Sequence, residues 1–272
     1  MVDAQASGAC GRKVVEVRVF SWAPNFKANV DIGDLWYFPT WSERRLPVAQ
    51  AGETKEGMNV SLKPRNKAEQ IVLHKGDLPD GLDFGSAVAV DTETLGLNLN
   101  RDRLCLAQLS SGDGTCHLVQ FARNSYDAPN LTALMADRSV TKIFHYARFD
   151  VVMLKRYLGV TVAPVFCTKI ASKLVRTYTD RHGLKNVTKE LLGIDLSKEQ
   201  QSSDWAAENL SREQMNYAAA DVLNLHLIRE KLSVMLERED RMHLASACFD
   251  FLETRGELDA LGWVDTDIFA HL

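Results

Sequence analysis

The chain has 272 residues, of which 46% are hydrophobic and 25% are charged, and its formal net charge is −4. These proportions resemble those of globular domains, and no apolar run approaches the roughly 20 residues of a bilayer span, which argues against a wholly disordered or membrane-spanning protein. The acidic balance argues against a domain that grips long duplexes, although a short nucleic acid needs only a local basic patch.

Two features predict a cytoplasmic protein with reduced thiols. The N-terminus lacks a basic segment followed by an apolar stretch and a small-residue cleavage site. The five cysteines are odd in number and scattered, without the spacing of a zinc site, so we expect free thiols rather than disulfides.

Residues 1–57 differ in composition from the rest of the chain. They contain three of the five tryptophans and three of the seven prolines, without a sustained hydrophobic period. Residues 14–20 alternate as a strand would, but prolines interrupt anything longer. We therefore predict an N-terminal extension over residues 1–57, which is disordered, the product of an upstream start, or an accessory element packed on the domain. A single domain is expected over residues 58–272.

From residue 70 onward, apolar patterns predict strands followed by alternating helices. The predicted elements are strands at 70–74, 87–90, 104–109 and 115–119, a helix at 131–135, a strand at 142–144, and helices at 149–158, 170–177, 184–191 and 212–235. This order predicts an α/β domain with a mixed sheet flanked by helices.

Local signals support several of these elements. Residues 111–114, Ser-Gly-Asp-Gly, are a strong turn signal for a hairpin. Ser211 and Gln214 form a capping box that predicts the start of one long helix. The run at 249–272 is more apolar than a frayed tail, so we expect it to dock.

Two carboxylates end the second predicted strand. Asp91 and Glu93 are separated by one residue, so their side chains lie on the same face of the strand. Carboxylates at this range repel each other unless a cation lies between them, which indicates a metal site. Helix caps or solvated loop residues would also explain the pair, so this motif alone leaves both open.

Two later motifs add further acidic residues. Asp150 lies in the first turn of a predicted helix after His145, where it could instead complement the helix dipole. Tyr217 and Asp221 are four residues apart and so lie one above the other on a helix. The three alanines between them would let the helix approach a charged group closely, and tight helix packing would also explain them.

These motifs together resemble the ribonuclease D branch of the DEDD exonucleases, in the subclass with Tyr rather than His in the third motif. The resemblance covers about residues 70–272. Within that branch the chain is most similar to the nanoRNase C group, which cleaves dinucleotides at the end of RNA decay, and residues 91–97, 167–174, 176–184 and 200–205 carry this similarity. Tyr146 stands where many relatives have Asn, which puts any substrate contact of that Asn in doubt.

The resemblance implies a ribonuclease H-like fold and a 3′–5′ exoribonuclease that hydrolyses short RNAs, above all dinucleotides, with two Mg²⁺ or Mn²⁺ ions. Asp91 would bridge both metals, Glu93 and Asp221 would complete the site of the water-activating metal, and Asp150 would act partly through water. Tyr217 would orient the attacking water, because a phenol with a pKa near 10 is a poor general base at neutral pH. A ring-like homo-oligomer, such as an octamer, is also implied.

Eight further residues near the motifs are candidates for substrate contact: Thr94, Leu97, His145, Arg181, His182, Lys185, Gln201 and Ser203. Leu97 could wedge between two bases, and core packing would explain it equally well. The basic cluster at 181–185 could hold a terminal phosphate or could be a solvated loop. Trp205 is expected in the core.

Two competing functions stay open. The first is a broader exonuclease that trims structured RNA or DNA ends, since the metal site would cleave a phosphodiester whatever sugar lies beside it. The second is a catalytically silent nucleic-acid-binding module, which the presence of all four carboxylates disfavours. About 40 residues follow Lys231, which favours a catalytic domain acting alone on short substrates.

Overall fold

The computed structural model describes residues 62–197 and 203–271. The predictions on residues 1–57, including the strand at 14–20, and on Gln201 lie outside these ranges. In the described residues, no helix combines the length and the apolar character that a bilayer crossing requires.

Six strands and eight helices make up the described part of the chain, in the predicted order. The strands are β1 Gln70–Lys75, β2 Ala87–Thr94, β3 Leu104–Ser110, β4 Thr115–Gln120, β5 Thr141–Phe144 and β6 Val165–Cys167. The helices are α1 Pro129–Ala136, α2 Ala147–Leu158, α3 Thr168–Val175, α4 Leu184–Leu192, α5 Arg212–Val222, α6 Leu225–Arg238, α7 Met242–Asp250 and α8 Leu252–Ala260.

The strands form one mixed sheet in the order β1-β4-β3-β2-β5-β6. β3 pairs antiparallel with β2 and β4, whereas β1 with β4, β2 with β5 and β5 with β6 are parallel. The first four residues of β2 and all of β3 are buried, since both strands lie in the middle of the sheet. The predicted α/β class with a mixed sheet is confirmed.

β2 is longer than the apolar run that predicted it. The strand continues through Asp91 and Glu93, which pair in register with Gln108 and Leu106 of β3. Both acids therefore stand on a rigid strand rather than on the loop that follows it.

The single long helix predicted after the capping box is wrong, because the structure has two helices, α5 and α6. Both capping-box hydrogen bonds are present at the start of α5. The break falls at Asn224, whose buried side chain accepts a hydrogen bond from the Arg65 N–H at 3.0 Å and donates one to the Arg65 carbonyl at 2.8 Å. Asn side chains that bond to backbone elsewhere compete with helical structure, and this pair of bonds explains the break.

The C-terminal run docks in part. α8 packs on α2, where Arg148 pairs with Asp259 and Lys155 pairs with Glu253 and Glu257. Residues 261–271 have exposed side chains. Their backbone still contacts the domain, since Arg148 donates to the Val264 carbonyl and Arg255 donates to the carbonyls of residues 263, 264 and 266. β6, α7 and α8 were not predicted, since β6 has only three residues and the two helices follow each other without a clear turn signal.

Candidate active site

Three carboxylates from two separated parts of the chain meet at the end of β2. Asp91 and Glu93 of β2 and Asp221 of α5 each offer an oxygen atom that lies within 4.8 Å of the others. Ala218 and Ala219 are fully buried on α5, which packs against β2. These small side chains let the helix backbone approach the strand closely enough to bring Asp221 to the two strand acids.

The fourth acid, Asp150, lies beside this group. It is only 4% exposed, in the first turn of α2, and it accepts a 2.6 Å hydrogen bond from the Thr92 hydroxyl. Thr92 was not identified from the sequence, although a hydroxyl between two strand acids is a signal that could have indicated it. The bond holds Asp150 against β2.

The four carboxylates do not ionise together easily. Burial, followed by repulsion from Asp150, Asp221 and Glu93, raises the pKa of Asp91 well above its usual value. Burial and the neighbouring acids raise the pKa of Glu93 to about 9. Burial raises the pKa values of Asp150 and Asp221 to about 7. Hydrogen bonds from Thr92 to Asp150 and from Tyr217 to Asp221 lower these pKa values but do not offset the effect of burial. Within the described residues no ion pair compensates these charges.

Tyr217 lies one turn before Asp221 on α5. Burial, and then the charges of Asp221, Glu93 and Asp91, raise the pKa of its phenol above the usual value. Its ring centroid is 6.1 Å from that of Trp205, which is buried, as expected for a core residue. Tyr217 therefore remains protonated near neutral pH and can donate a hydrogen bond.

A cavity of about 270 Å³ opens onto the carboxylates. Its lining includes Asp91, Tyr217 and Asp221 together with two residues predicted to contact substrate, His145 and Lys185. A larger cleft of about 1050 Å³ includes Leu95 but none of the four carboxylates. The smaller cavity is the one placed for chemistry at the acids.

His145 is held by one ring nitrogen and presents the other without a partner. Its Nδ1 lies 2.8 Å from the Thr168 hydroxyl oxygen, and its Nε2 is buried with no hydrogen-bond partner in the described residues. Burial, followed by the charge of Lys169, lowers the pKa of His145 to about 3. The ring is therefore neutral, and its free nitrogen can be satisfied by a bound molecule.

Four further predicted contact residues, Thr94, Arg181, His182 and Ser203, do not line this cavity. His182 Nδ1 lies 2.9 Å from the Ser172 hydroxyl oxygen. Thr94 donates its hydroxyl to the Gly96 carbonyl at 2.5 Å. Ser203 accepts a 2.8 Å bond from the Gln214 amide nitrogen.

Leu97 is 86% exposed, so core packing does not explain it. The loop that carries it is pinned by Asp102, which accepts the Asn98 N–H at 2.9 Å and lies against Gly96, where a Cβ would collide with the Asp102 carboxylate. The apolar side chain therefore projects from a constrained loop directly after β2.

Residues 68–237 match the family described as 3′–5′ exonuclease. Ribonuclease D of Acidiphilium cryptum is 35% identical over 165 residues, which are 61% of this chain and 42% of that protein. The chain thus matches less than half of the length of this curated relative.

Solved structures give a fuller match. Brucella melitensis NrnC bound to pGG is 56% identical, with a TM-score of 0.72, over 75% of this chain and 99% of that one. The same protein with bound Mg²⁺ matches at 55% identity and a TM-score of 0.71, over 75% of this chain and 100% of that one. Escherichia coli RNase D, an exoribonuclease involved in structured RNA processing, is 27% identical with a TM-score of 0.56, over 63% and 45% of the two chains. These similarities confirm the predicted resemblance and the ribonuclease H-like fold.

Proposed function

The chain belongs to the 3′–5′ exonuclease family, and from that membership we propose a metal-dependent exoribonuclease that removes nucleotides from the 3′ ends of short RNAs, above all dinucleotides, as 5′-mononucleotides. The observation that carries the proposal is the group formed by Asp91, Glu93 and Asp221, which meet part-buried at a strand end with no ion-pair partner among the described residues. Such a group has little use in a structural protein, because it opposes folding.

The donor set suits divalent cations, and the family resemblance implies two of them. Carboxylate oxygens suit Mg²⁺ or Mn²⁺, and the raised pKa values are those of acids that lack a nearby positive charge. Asp91, Glu93 and Asp221 would hold the ions, and Asp150 would act partly through water. Bound there, the two ions would lower the pKa of the attacking water and neutralise charge on the phosphate.

The chain's own residues then have distinct tasks. Tyr217, protonated and next to Asp221, would orient the attacking water by donating a hydrogen bond. His145 would accept or donate a bond to the ribose or phosphate through its free Nε2, and Lys185 would contribute positive charge to the cavity. Leu97 would separate the two bases of a dinucleotide.

Three points support short RNA as substrate and an assembly of copies. The similar NrnC was solved with pGG, and Leu97 is exposed on the loop that follows β2. Exposed apolar side chains at Leu261, Trp263 and Phe269 form a surface that another copy would cover, in keeping with a ring-like homo-oligomer. A cytoplasmic location and a catalytic domain over residues 58–272 complete the proposal.

Substrate length tests the proposal. End-labelled RNAs of two to seven nucleotides are digested with Mg²⁺ or Mn²⁺, and kcat/KM is expected to be highest for the dinucleotide. Leu97→Ala should slow dinucleotide cleavage more than cleavage of the seven-residue RNA, which has other contacts. Leu244→Ala, at an exposed leucine of α7, is the matched control.

Equal efficiency on two- and seven-residue RNAs would favour the broader exonuclease that trims structured RNA or DNA ends. This alternative is supported by the similarity to E. coli RNase D, which takes part in structured RNA processing. If no RNA were hydrolysed with either metal, the result would favour the catalytically silent nucleic-acid-binding module.

A further inference from the structure

Tyr146 has an unusual backbone conformation at the start of α2. Its φ of 80° and ψ of 40° lie in the left-handed region, and its side chain makes no capping hydrogen bond to the helix. Bulky residues rarely adopt this conformation, whereas Gly and Asn do so more readily. Strain of this kind persists mainly where the side chain has a function.

The Tyr146 ring contacts Lys169, which lines the 270 Å³ cavity at the carboxylates, called the acidic cavity below. It is 43% exposed, and Lys169 Nζ lies 4.0 Å from its centroid. Lys169 lines the acidic cavity and also a neighbouring cavity of about 260 Å³, whose wall includes Tyr146. The two cavities therefore adjoin at Lys169, and the second continues from the acids toward α7 and α8.

The second cavity carries positive charge that no carboxylate neutralises. Lys169 and Lys173 lie four residues apart on α3, on the same face, and within the described ranges neither forms an ion pair, although Lys169 contacts the Tyr146 ring. Like charges at this spacing destabilise a helix unless an anion lies near them. Arg148 and Arg255, which also line the cavity, are instead engaged by Asp259.

The same cavity also offers apolar and aromatic surface. Ile170, Leu252 and the part-exposed Phe251 line it together with the Tyr146 ring. Aromatic faces beside free ammonium groups are what a single-stranded nucleic acid needs, since bases stack on rings and phosphates bind cations. Its volume suits one base rather than a long strand.

We propose that this second cavity is the subsite for the nucleotide on the 5′ side of the scissile phosphate, with its base against Tyr146 and its backbone phosphate near Lys169 and Lys173. The inference rests on the proposed function, because release of the 3′ nucleotide leaves the rest of the RNA extending away from the acids. It assigns substrate contact to α3 and Tyr146 rather than to Arg181 and His182.

The test compares two RNA dinucleotides, one with an intact 5′ base and one that is abasic at that position. The wild-type protein should cleave the intact RNA with a kcat/KM about 10-fold higher, the scale of one stacked base. Tyr146→Ala should lower kcat/KM only for the intact RNA and so remove the discrimination. Tyr146→Phe, which keeps the ring, should restore it.

Two further variants separate substrate contact from folding. Tyr146→Asn suits the left-handed backbone, so it should keep or raise Tm while losing the base discrimination. Tyr178→Ala removes another exposed ring, one that contacts Glu190, and should leave the discrimination intact.

The outcomes are distinct. Absence of base discrimination in the wild-type protein, or equal losses on both RNAs from Tyr146→Ala, overturns the subsite. Failure of the wild-type protein to hydrolyse either RNA overturns the proposed function instead. Equilibrium binding of both RNAs in the Asp221→Asn background with Mg²⁺ tests the subsite even then, since base-dependent binding lost with Tyr146→Ala supports it and base-independent binding overturns it.

Discussion

The four carboxylates that meet at the end of β2 lower the stability of the folded domain. Asp91, Glu93, Asp150 and Asp221 are all held where burial or mutual repulsion raises their pKa values. Residues that break local rules in this way are expected at functional sites rather than in a scaffold. The rest of the domain must supply the free energy that keeps them together.

Asp221→Asn tests this conflict between function and stability. The amide keeps the shape of the side chain but removes a charge, so hydrolysis of an RNA dinucleotide should be abolished. Thermal stability without metal should hold or rise at pH 8, because one repulsive charge is gone. Single-turnover kinetics and thermal unfolding measure the two effects, with Asp250→Asn, an exposed acid on α7, as control.

Near wild-type turnover of Asp221→Asn at saturating Mg²⁺ would contradict the assignment of this carboxylate to the metal site. A large loss of stability without metal would contradict the repulsion argument instead.

The residues of the site differ in how far the sequence could predict them. Asp91 with Glu93, and Tyr217 with Asp221, form local patterns, which are acids two residues apart on a strand and an acid four residues from a tyrosine on a helix. Asp150 has no such pattern and was proposed only in combination with them. Thr92 and Lys169 were not identified, since their partners, Asp150 and Tyr146, are distant in sequence and only the fold brings them together. The basic cluster at 181–185 was predicted from charge alone, and of Arg181, His182 and Lys185 only Lys185 lines the cavity at the carboxylates.

At the scale of elements, periodicity located the strands and helices but not every boundary. The predicted second strand was too short because its apolar run ends at Val90, whereas β2 continues through Asp91 and Glu93, which also pair with β3. The α5–α6 break was missed because the apolar period continues across it. Only the contact of Asn224 with Arg65, 159 residues away, explains the interruption.

Asn224→Ala should destabilise the domain. The buried amide makes two hydrogen bonds to the Arg65 backbone, and its loss leaves a buried N–H and a carbonyl without partners. We expect the free energy of unfolding to fall by about 1–3 kcal/mol. Urea unfolding measures the change, and Asn66→Ala, at an exposed asparagine, serves as control. An unchanged urea midpoint would mean that the two hydrogen bonds between Asn224 and the Arg65 backbone do not stabilise the domain.

For the whole molecule, the carboxylate group couples metal binding, protons and folding. Each acid has a folded-state pKa above its unfolded value, with Asp150 and Asp221 at about 7 and Glu93 at about 9. The metal-free folded state therefore holds more protons than the unfolded state, so its stability falls as pH rises from the unfolded pKa values through the folded ones. Buried histidines such as His145, whose pKa is lowered to about 3, act in the opposite direction below about pH 6.5.

Because cations take the place of these protons, stabilisation by Mg²⁺ should grow with pH. We expect the rise in Tm that saturating Mg²⁺ produces over the metal-free protein to be larger at pH 9 than at pH 6.5, by about 2–4 °C for each kcal/mol of difference in binding. The contribution of the histidines cancels because Tm with and without Mg²⁺ is compared at the same pH, and calorimetry at matched ionic strength measures the difference. Asp221→Asn should show a smaller rise that changes less with pH. An equal Mg²⁺ effect at both pH values would mean that cation binding displaces no protons from these acids, which would contradict either their raised pKa values or the placement of the cations among them.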